Sequence, residues 1–274
     1  MRNYMMLLAM VLDYGTKKIT RAKIDGEHVH ALSLFGRFLD FDLTAGFPIV
    51  TTRQIGWKTA AHELIWMLRG ETNVRYLHAN GVHIWDAWAD ANGDLGPVYG
   101  AQLRRWHTAD GREIDQVSQL VADIFAVKND PAAAPGRRLI LNMWNVGDLG
   151  KMALPPCPMM AQFNVTNGRL SCLVTQRSAD LFIGLPYDIA VYAMLTHVLA
   201  RITGLMVGQL FFSIGDAHIY ENHIEAVKEQ LTRVPQDAPV FIVDWIDSVD
   251  DIEISDFNLT GYTPCPPIKA QVAV

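Results

Sequence analysis

Five segments of the chain distribute their apolar residues as helices do, with one face apolar and the opposite face polar. The segment 58–70 is well defined because Gly70 follows its last apolar turn, and the segment 186–204 is the longest. The pattern therefore predicts helices at residues 3–14, 58–70, 114–126, 186–204 and 222–231.

Strand patterns occupy much of the remaining chain. Alternating or continuous apolar runs with β-branched and aromatic residues predict strands at residues 32–43, 137–145, 161–166, 170–178 and 210–220, and short strands and turns from residue 240 onward. A polar stretch, residues 15–30, precedes the first of them. Helices and strands alternate irregularly, which favours an α/β (α+β) fold with a mixed sheet over a regular doubly wound one. No linker or repeat divides the sequence, so we expect one domain over residues 1–274.

One long irregular segment, residues 83–100, carries Trp85, Trp88 and Tyr99 among Gly, Asn, Asp and Pro residues. Such polar and flexible residue types mark irregular backbone. Large aromatic groups in a long loop are typical of a folded, functional loop. We therefore expect this loop to form part of a site.

Composition narrows the class of function. The chain has 274 residues and a net charge of -6, so no basic surface for nucleic acid is expected. Its three cysteines are too few and odd in number for a disulfide framework, which favours a reducing compartment. The apolar N-terminus contains Asp13 and resembles an amphipathic helix more than a signal peptide. We expect a cytoplasmic protein with no membrane partner.

Cys157 is a candidate nucleophile. It lies in the sequence ALPPCPMM, where three prolines restrict the backbone around it. A nucleophilic cysteine needs a nearby cation to form the thiolate, and Arg137, Arg138 and Arg177 are candidates. Free cysteines are commonly buried and structural, however, and residue type alone favours that alternative for Cys157.

Several polar residues have both a functional and an ordinary interpretation. The pair Arg137–Arg138 and the triplet Gln176-Arg177-Ser178 suit an anionic group such as phosphate, or form ion pairs at strand ends. Glu63 could move protons or could be an ordinary exposed carboxylate. Asp188 could be a site residue or a helix cap. His218 and Tyr220 could hold a sugar hydroxyl or could be core groups. Neither a CxxC pair nor an HExxH motif is present, so no metal is assigned.

Taken together, long segments of the chain resemble the thymidylate synthase family, in the order that the family has them. The resemblance implies a homodimer of α/β subunits whose mixed sheets pack back to back, with 5,10-methylenetetrahydrofolate as co-substrate. The matching segments are GFPIVTTRQ, HELIWMLRGETNVRYLHANGVHIWDAWADANGDLGPVYG, RRLILNMWNVGDLGKMALPPC, QRSADLFIGLPYDIAVYAMLTHVLA, GDAHIYENHIEAVKEQL and GYTPCPPIKAQVAV.

The resemblance also implies a role for individual residues. Cys157 would add to pyrimidine C6, while Glu63 and Tyr99 would serve proton movements at the ring. The nucleotide would be held by Arg21, Gln176, Arg177, Ser178, Asp188, His218 and Tyr220, together with Arg137 and Arg138 of the partner subunit. The folate would be bound by Ile84, Trp85, Leu154, Asp180, Gly184, Tyr187 and Val274.

Three positions depart from the family. The asparagine that reads the uracil edge is replaced by Asp188, which can accept a hydrogen bond from a 4-amino group and, when protonated, donate one to N3. This pattern matches cytosine, as in the family's deoxycytidylate methylases and hydroxymethylases. The histidine after the nucleophile is replaced by Pro158, and a longer segment, RAKIDGEHVHALSLFG, replaces the glycine-rich phosphate loop, so Arg21 is a weaker candidate.

The product is a separate question. The near-complete folate lid favours 5-methyl-dCMP, whereas Pro158 favours 5-hydroxymethyl-dCMP by leaving room for water. Ordinary synthesis of thymidylate from dUMP, a ribonucleotide substrate and an inactive, regulatory family member remain alternatives. Modified cytosine would suit a virus in a bacterial host or a dedicated biosynthetic pathway.

Overall fold

A six-stranded sheet forms the centre of the fold. The computed structural model describes residues 1–132 and 135–273. Within them the sheet has the strand order β1-β2-β8-β7-β6-β5. The strands of this sheet are β1 (Thr16–Ile24), β2 (Glu27–Asp42), β5 (Ile140–Asn142), β6 (Pro158–Thr166), β7 (Arg169–Asp180) and β8 (Met206–Tyr220). Two separate two-stranded sheets are formed by β3 (Trp106–His107) with β4 (Glu113–Ile114), and by β9 (Val240–Val243) with β10 (Phe257–Thr260).

Helices cover one face of this sheet. Only β7 and β8 pair in parallel and the other neighbours are antiparallel, which confirms the predicted mixed sheet. No helix in the described ranges is both long and apolar enough to cross a bilayer. The helices are α1 (Arg2–Tyr14), α2 (Trp57–Leu68), α3 (Arg75–Ala79), α4 (Tyr99–Arg104), α5 (Gln116–Asn129), α6 (Gly184–Thr203) and α7 (Ile224–Leu231).

The helix α6 connects the two parallel strands and packs deep in the core. A parallel pair needs such a crossover, and α6 is apolar on nearly all sides because it lies between the sheet and α2. Its last turn ends at Gly204, whose φ of 63° is the left-handed conformation that glycine adopts without strain. The crossover brings the end of β7, the start of α6 and the end of β8 to one edge of the sheet.

The polar stretch 15–30 is a β-hairpin, a structure that the hydrophobic pattern did not predict. Asp25 and Gly26 have φ angles of 52° and 86°, which are typical of a two-residue turn that matches the strand twist. The strand β1 is at the sheet edge and mostly exposed, so little apolar patterning marks it. Arg21 lies in this exposed strand, within the irregular pairing between Ile19 and Lys23.

The opposite face of the sheet carries exposed aromatic side chains, and no helix of the described residues covers them. Phe38 on β2 is 59% exposed and stacks on Phe211 of β8 with ring centroids 5.7 Å apart. Phe35 on the same strand is 83% exposed. An aromatic surface of this kind is typical of a protein interface.

Candidate active site

The segment before β6 holds Cys157 close to Tyr99. The backbone N–H of Cys157 donates to the Tyr99 hydroxyl at 3.1 Å. Its carbonyl accepts from the backbone N–H of Arg177 at 2.9 Å, so β7 fixes the segment from the other side. The prolines on both sides of Cys157 restrict its backbone further. The cysteine is thus held rigidly at the sheet edge.

Arg177 is the cation nearest to the thiol. Its Nη2 lies 4.0 Å from Cys157 Sγ. The same guanidinium donates to the carbonyl oxygens of Pro156 and Pro155, both at 2.8 Å, and its centre lies 5.6 Å from the Trp144 ring. The arginine therefore supports the cysteine segment in the ligand-free chain. Trp144 is a neighbour that the sequence did not reveal.

The thiol of Cys157 is neutral in this state. Burial raises its pKa to about 11, the carboxylates of Asp188 and Asp180 act in the same direction, and Arg177 opposes them. Arg177 alone does not bring the pKa of the thiol below its ordinary value, because desolvation outweighs one partly engaged cation. Nucleophilic attack then requires a base, or a change of surroundings when ligands bind.

Asp188 lies in the first turns of α6 but does not cap the helix. The helix begins at Gly184, and Asp188 Oδ2 accepts a hydrogen bond of 2.7 Å from Nε2 of Gln176. Burial raises the pKa of Asp188 to about 8; the hydrogen bond from Gln176 opposes this shift, and the charges of Glu63 and Asp180 add to it. The carboxyl is therefore mostly protonated at neutral pH, and it belongs to the site.

Gln176 fixes the arrangement around Asp188. Its side chain is 1% exposed, and Nε2 also donates to the carbonyl oxygen of Ser178 at 3.1 Å. Turning the amide over would bring its oxygen against that carbonyl, so Nε2 stays directed at Asp188. Oε1 is buried without a hydrogen-bond partner among the described residues. Since Oδ2 accepts from Gln176, the proton of Asp188 is favoured on Oδ1.

Glu63 is a buried acid rather than an exposed helix carboxylate. It lies on α2 and accepts from the indole Nε1 of Trp85 at 2.9 Å. Burial raises its pKa to about 7, although the Trp85 bond lowers it. The Trp85 ring packs 5.8 Å from that of Tyr99, so the aromatic loop, α2 and α4 meet here. A carboxyl that titrates near neutral pH suits proton transfer.

A second polar group lies at the end of β8. The His218 and Tyr220 rings are 4.8 Å apart, and His218 Nδ1 lies 3.3 Å from Asp216 Oδ1. Asp216 also accepts from Ser33 at 2.8 Å and pairs with Lys18, which joins the group to β2 and β1. Burial and the charges of Asp180 and Cys157 raise the pKa of Tyr220 to about 12, so its hydroxyl stays neutral near the thiol.

Asp180 ends β7 and forms a link that the sequence did not reveal. Its Oδ1 accepts from the backbone N–H of Phe182 at 3.0 Å, and His223 Nδ1 lies 3.6 Å away. Nε2 of His223 donates in turn to the carbonyl of Gln271 at 2.8 Å. Burial raises the pKa of Asp180, but His223 and other donors outweigh it, and the net pKa is lowered. Asp180 is therefore ionised and connected to the C-terminal segment.

The remaining residues proposed for the folate differ in exposure. Ile84 is 37% exposed, while Leu154 and Tyr187 are partly buried and pack against the core. Gly184 is the first residue of α6. Together with Trp85 and the Asp180 carboxylate they offer apolar surface and one acceptor, which fits a flat ring carrying N–H groups. Val274 lies outside the described residues.

Of the four arginines proposed for the nucleotide, Arg177 is the one with a contact to the Cys157 segment among the described residues. Arg21, Arg137 and Arg138 are exposed, and none forms an ion pair within residues 1–132 and 135–273. The ordinary alternative of ion pairing at strand ends is thus absent too.

The outer side of the aromatic loop carries a small ion-pair cluster. Asp86 accepts from His78 at 2.6 Å and from His83 at 3.0 Å, and all three residues are exposed. These contacts tie the end of α3 to the loop that contains Trp85. Since exposed pairs contribute little stability, their effect is local.

Comparisons with known proteins agree with this geometry. The family profile described as "Thymidylate synthase" matches residues 2–274. Proteins named "Thymidylate synthase" from Coxiella burnetii strains Dugway 5J108-111, RSA 331 and RSA 493 are each 47% identical to this chain over 275 residues. The alignment covers 100% of both sequences in every case.

Proposed function

Because this chain belongs to the thymidylate synthase family, we propose that it transfers a one-carbon unit to C5 of dCMP, giving 5-methyl-dCMP and dihydrofolate. The family and the names of its relatives support folate-dependent C5 methyl transfer to a pyrimidine nucleotide. The family and the relatives' names do not indicate cytosine as the base, so this part of the proposal rests on the site itself. The observation that carries it is the buried, protonated Asp188 beside Gln176.

The reaction follows from the groups around Cys157. The thiolate adds to C6 of the ring, which makes C5 nucleophilic. The C5 proton must then leave, and Glu63, with a pKa of about 7, is suited to move it between ring and solvent. Methylenetetrahydrofolate supplies both the one-carbon unit and the hydride that reduces it to methyl, and is left as dihydrofolate. Departure of the Cys157 thiolate restores the ring.

The base preference depends on how Asp188 presents its two oxygens. Cytosine has an acceptor at N3 and a donor in its 4-amino group, the reverse of uracil. With the proton on Oδ1, Asp188 donates to N3 while Oδ2 accepts from the amino group. Donation to N3 also absorbs negative charge when the thiolate adds. A site built for one donor pattern rejects the other by several powers of ten, on the order of 10⁴.

The methyl product is supported by the enclosure on the folate side. Trp85 packs between Glu63, Tyr99 and Trp88, and the segment ending at residue 273 is bound through the Gln271 carbonyl. Excluding water favours hydride transfer over attack by water. The alternative product, 5-hydroxymethyl-dCMP with tetrahydrofolate, is favoured by Pro158, which provides no imidazole beside the nucleophile.

Synthesis of thymidylate from dUMP is the alternative that the relatives' names favour. An inactive, regulatory protein is disfavoured, because Cys157, Glu63 and Arg177 are all at the site.

We also propose a homodimer that completes the phosphate site. The uncovered sheet face with Phe35, Phe38 and Phe211 supports back-to-back packing. Arg137 and Arg138 are exposed and unpaired in the described ranges, which suits donation to the phosphate bound by the partner subunit.

The test is direct incubation of the protein with methylenetetrahydrofolate and either dCMP or dUMP. Mass spectrometry of the nucleotide separates methyl from hydroxymethyl products, and absorbance reports dihydrofolate. We expect 5-methyl-dCMP with stoichiometric dihydrofolate. Hydroxymethyl product without dihydrofolate would replace the methylase assignment. Turnover of dUMP alone would refute the role of Asp188.

A further inference from the structure

His223 is a fully buried titratable group with no part in the proposed chemistry. It ends the short turn Glu221–His223 after β8 and is 0% exposed. The rings of Phe182 and Tyr220 pack against its imidazole, with centroids 5.4 and 5.8 Å away. A buried imidazole is costly unless its nitrogens find partners, so its contacts are informative.

The two imidazole nitrogens face different parts of the molecule. Nε2 donates to the Gln271 carbonyl at 2.8 Å, and Nδ1 lies 3.6 Å from Asp180 Oδ1. Burial alone would lower the pKa of His223, but Asp180 and the Gln271 carbonyl raise it overall. The ring thus donates one N–H to the C-terminal segment, while its buried Nδ1 faces the Asp180 carboxylate without a hydrogen bond among the described residues.

Apart from the packing of Ile268 and Ala270 against the core, the described C-terminal residues have few other attachments near residue 271. Residues 261–273 form no helix or strand. Asn222 Nδ2 donates to the same Gln271 carbonyl at 3.0 Å, while Val272 is 45% exposed. Segments held by few contacts open at low free-energy cost, and lids over active sites are commonly of this type. Two donors on one carbonyl thus form the attachment at residue 271.

We infer that His223 is a positioning residue that couples the C-terminal segment to Asp180 and so keeps the folate side of the site closed against water. The inference rests on the proposed folate-dependent function. Binding of a folate N–H to Asp180 and closure of the segment would then reinforce one another, because both use the same buried contact between Asp180 and His223.

The test compares His223→Leu and His223→Gln with the wild-type protein. Loss of the hydrogen bond to the Gln271 carbonyl and of the contact with Asp180 is expected to raise the KM for methylenetetrahydrofolate by about tenfold or more in His223→Leu, with the Kd for dCMP within about twofold. The fraction of hydroxymethyl product should rise, because water reaches the site. His223→Gln keeps one donor and should restore part of both values.

Amide hydrogen exchange of the ligand-free protein reports the attachment without any turnover. Exchange in residues 268–273 should accelerate in His223→Leu, and less so in Asn222→Ala, which removes the weaker donor. His197→Gln is the matched control, because His197 is another largely buried histidine, packed 5.3 Å from Phe241 by ring centroids. His197→Gln should change the free energy of unfolding. Hydrogen exchange in residues 268–273 and the KM for methylenetetrahydrofolate should stay at their wild-type values.

The outcomes separate the inference from the proposed function. Unchanged exchange in residues 268–273 of both His223 variants would overturn the coupling, whatever the substrate proves to be. Equal loss of affinity for nucleotide and folate would also overturn it, since it would indicate general disruption. Wild-type protein without folate-dependent turnover would defeat the proposed function, while faster exchange would still establish the attachment.

Discussion

The base side and the phosphate side of the site are built in different ways. Around Cys157, Asp188 and Glu63, a single chain provides buried groups with shifted pKa values and short hydrogen bonds. Arg137 and Arg138 are exposed and form no ion pair within the described ranges. From this difference we propose that recognition of the ring is preorganised within one subunit, whereas recognition of the phosphate depends on assembly.

The largest effect should come from removing the nucleophile. Cys157→Ala is expected to lower turnover by a factor on the order of 10⁴ or more, since no other group can form the bond to C6. Binding of dCMP, measured by calorimetry, should persist. Cys265→Ser, at a half-buried cysteine outside the site, is the control and should retain activity. Near-normal turnover of Cys157→Ala would remove Cys157 from the mechanism.

The next largest effect concerns base preference. Asp188→Asn should shift the ratio of kcat/KM for dCMP over dUMP toward dUMP by a factor on the order of 10², because an amide that turns its oxygen to N3–H and its NH2 to O4 matches uracil, a pattern that a carboxyl protonated on Oδ1 does not offer. Asp148→Asn, at a carboxylate bonded to Gln102 at 3.1 Å, should affect both substrates equally. An unchanged ratio in Asp188→Asn would show that specificity lies elsewhere.

The proposed contribution of Arg138 to the partner's phosphate site can be tested in dimers formed from two different variants. Arg138→Ala is expected to lower kcat/KM by about tenfold to a hundredfold, the usual cost of a charged hydrogen bond. Mixing it with Cys157→Ala should restore about a quarter of wild-type activity, since half of the reassorted dimers are mixed and each has one complete site. Failure to complement would place Arg138 in the same subunit's site, or outside it.

The smallest effect should appear in stability against pH. The folded-state pKa of Asp188 is raised to about 8. Its contribution is therefore fully present below the unfolded pKa of about 4 and is lost as pH rises through 8. Asp188→Asn has no titrating group at this position. The Tm of this variant minus the Tm of the wild type should therefore be several degrees larger at pH 8.5 than at pH 5. A constant Tm difference would contradict the buried, protonated state.

The sequence predicted the regular elements better than their contacts. The five helices, the mixed sheet and the Asp188 position in α6 follow from local patterns and from the family resemblance. The hairpin of β1 did not, because an exposed edge strand has little apolar alternation, although its Asp-Gly turn was a usable signal. The link from His223 to Gln271 joins residues 48 apart in sequence, and no local pattern encodes it.

The site was predicted in type but not in charge state. Cys157, Asp188 and Glu63 were identified as candidates, but burial decides their protonation, and burial arises only when α2, α6 and β7 meet. For that reason no sequence pattern predicts the raised pKa of the Cys157 thiol, whereas a protonated form of Asp188 was already part of the interpretation drawn from residue type.

The central claim, that Asp188 selects cytosine, is tested most directly by competition. Equal concentrations of dCMP and dUMP are offered together with methylenetetrahydrofolate, and the ratio of 5-methyl-dCMP to thymidylate is measured by mass spectrometry. At equal concentrations this ratio equals the ratio of kcat/KM values. We predict an excess of 5-methyl-dCMP of about a hundredfold or more. An excess of thymidylate would contradict the account.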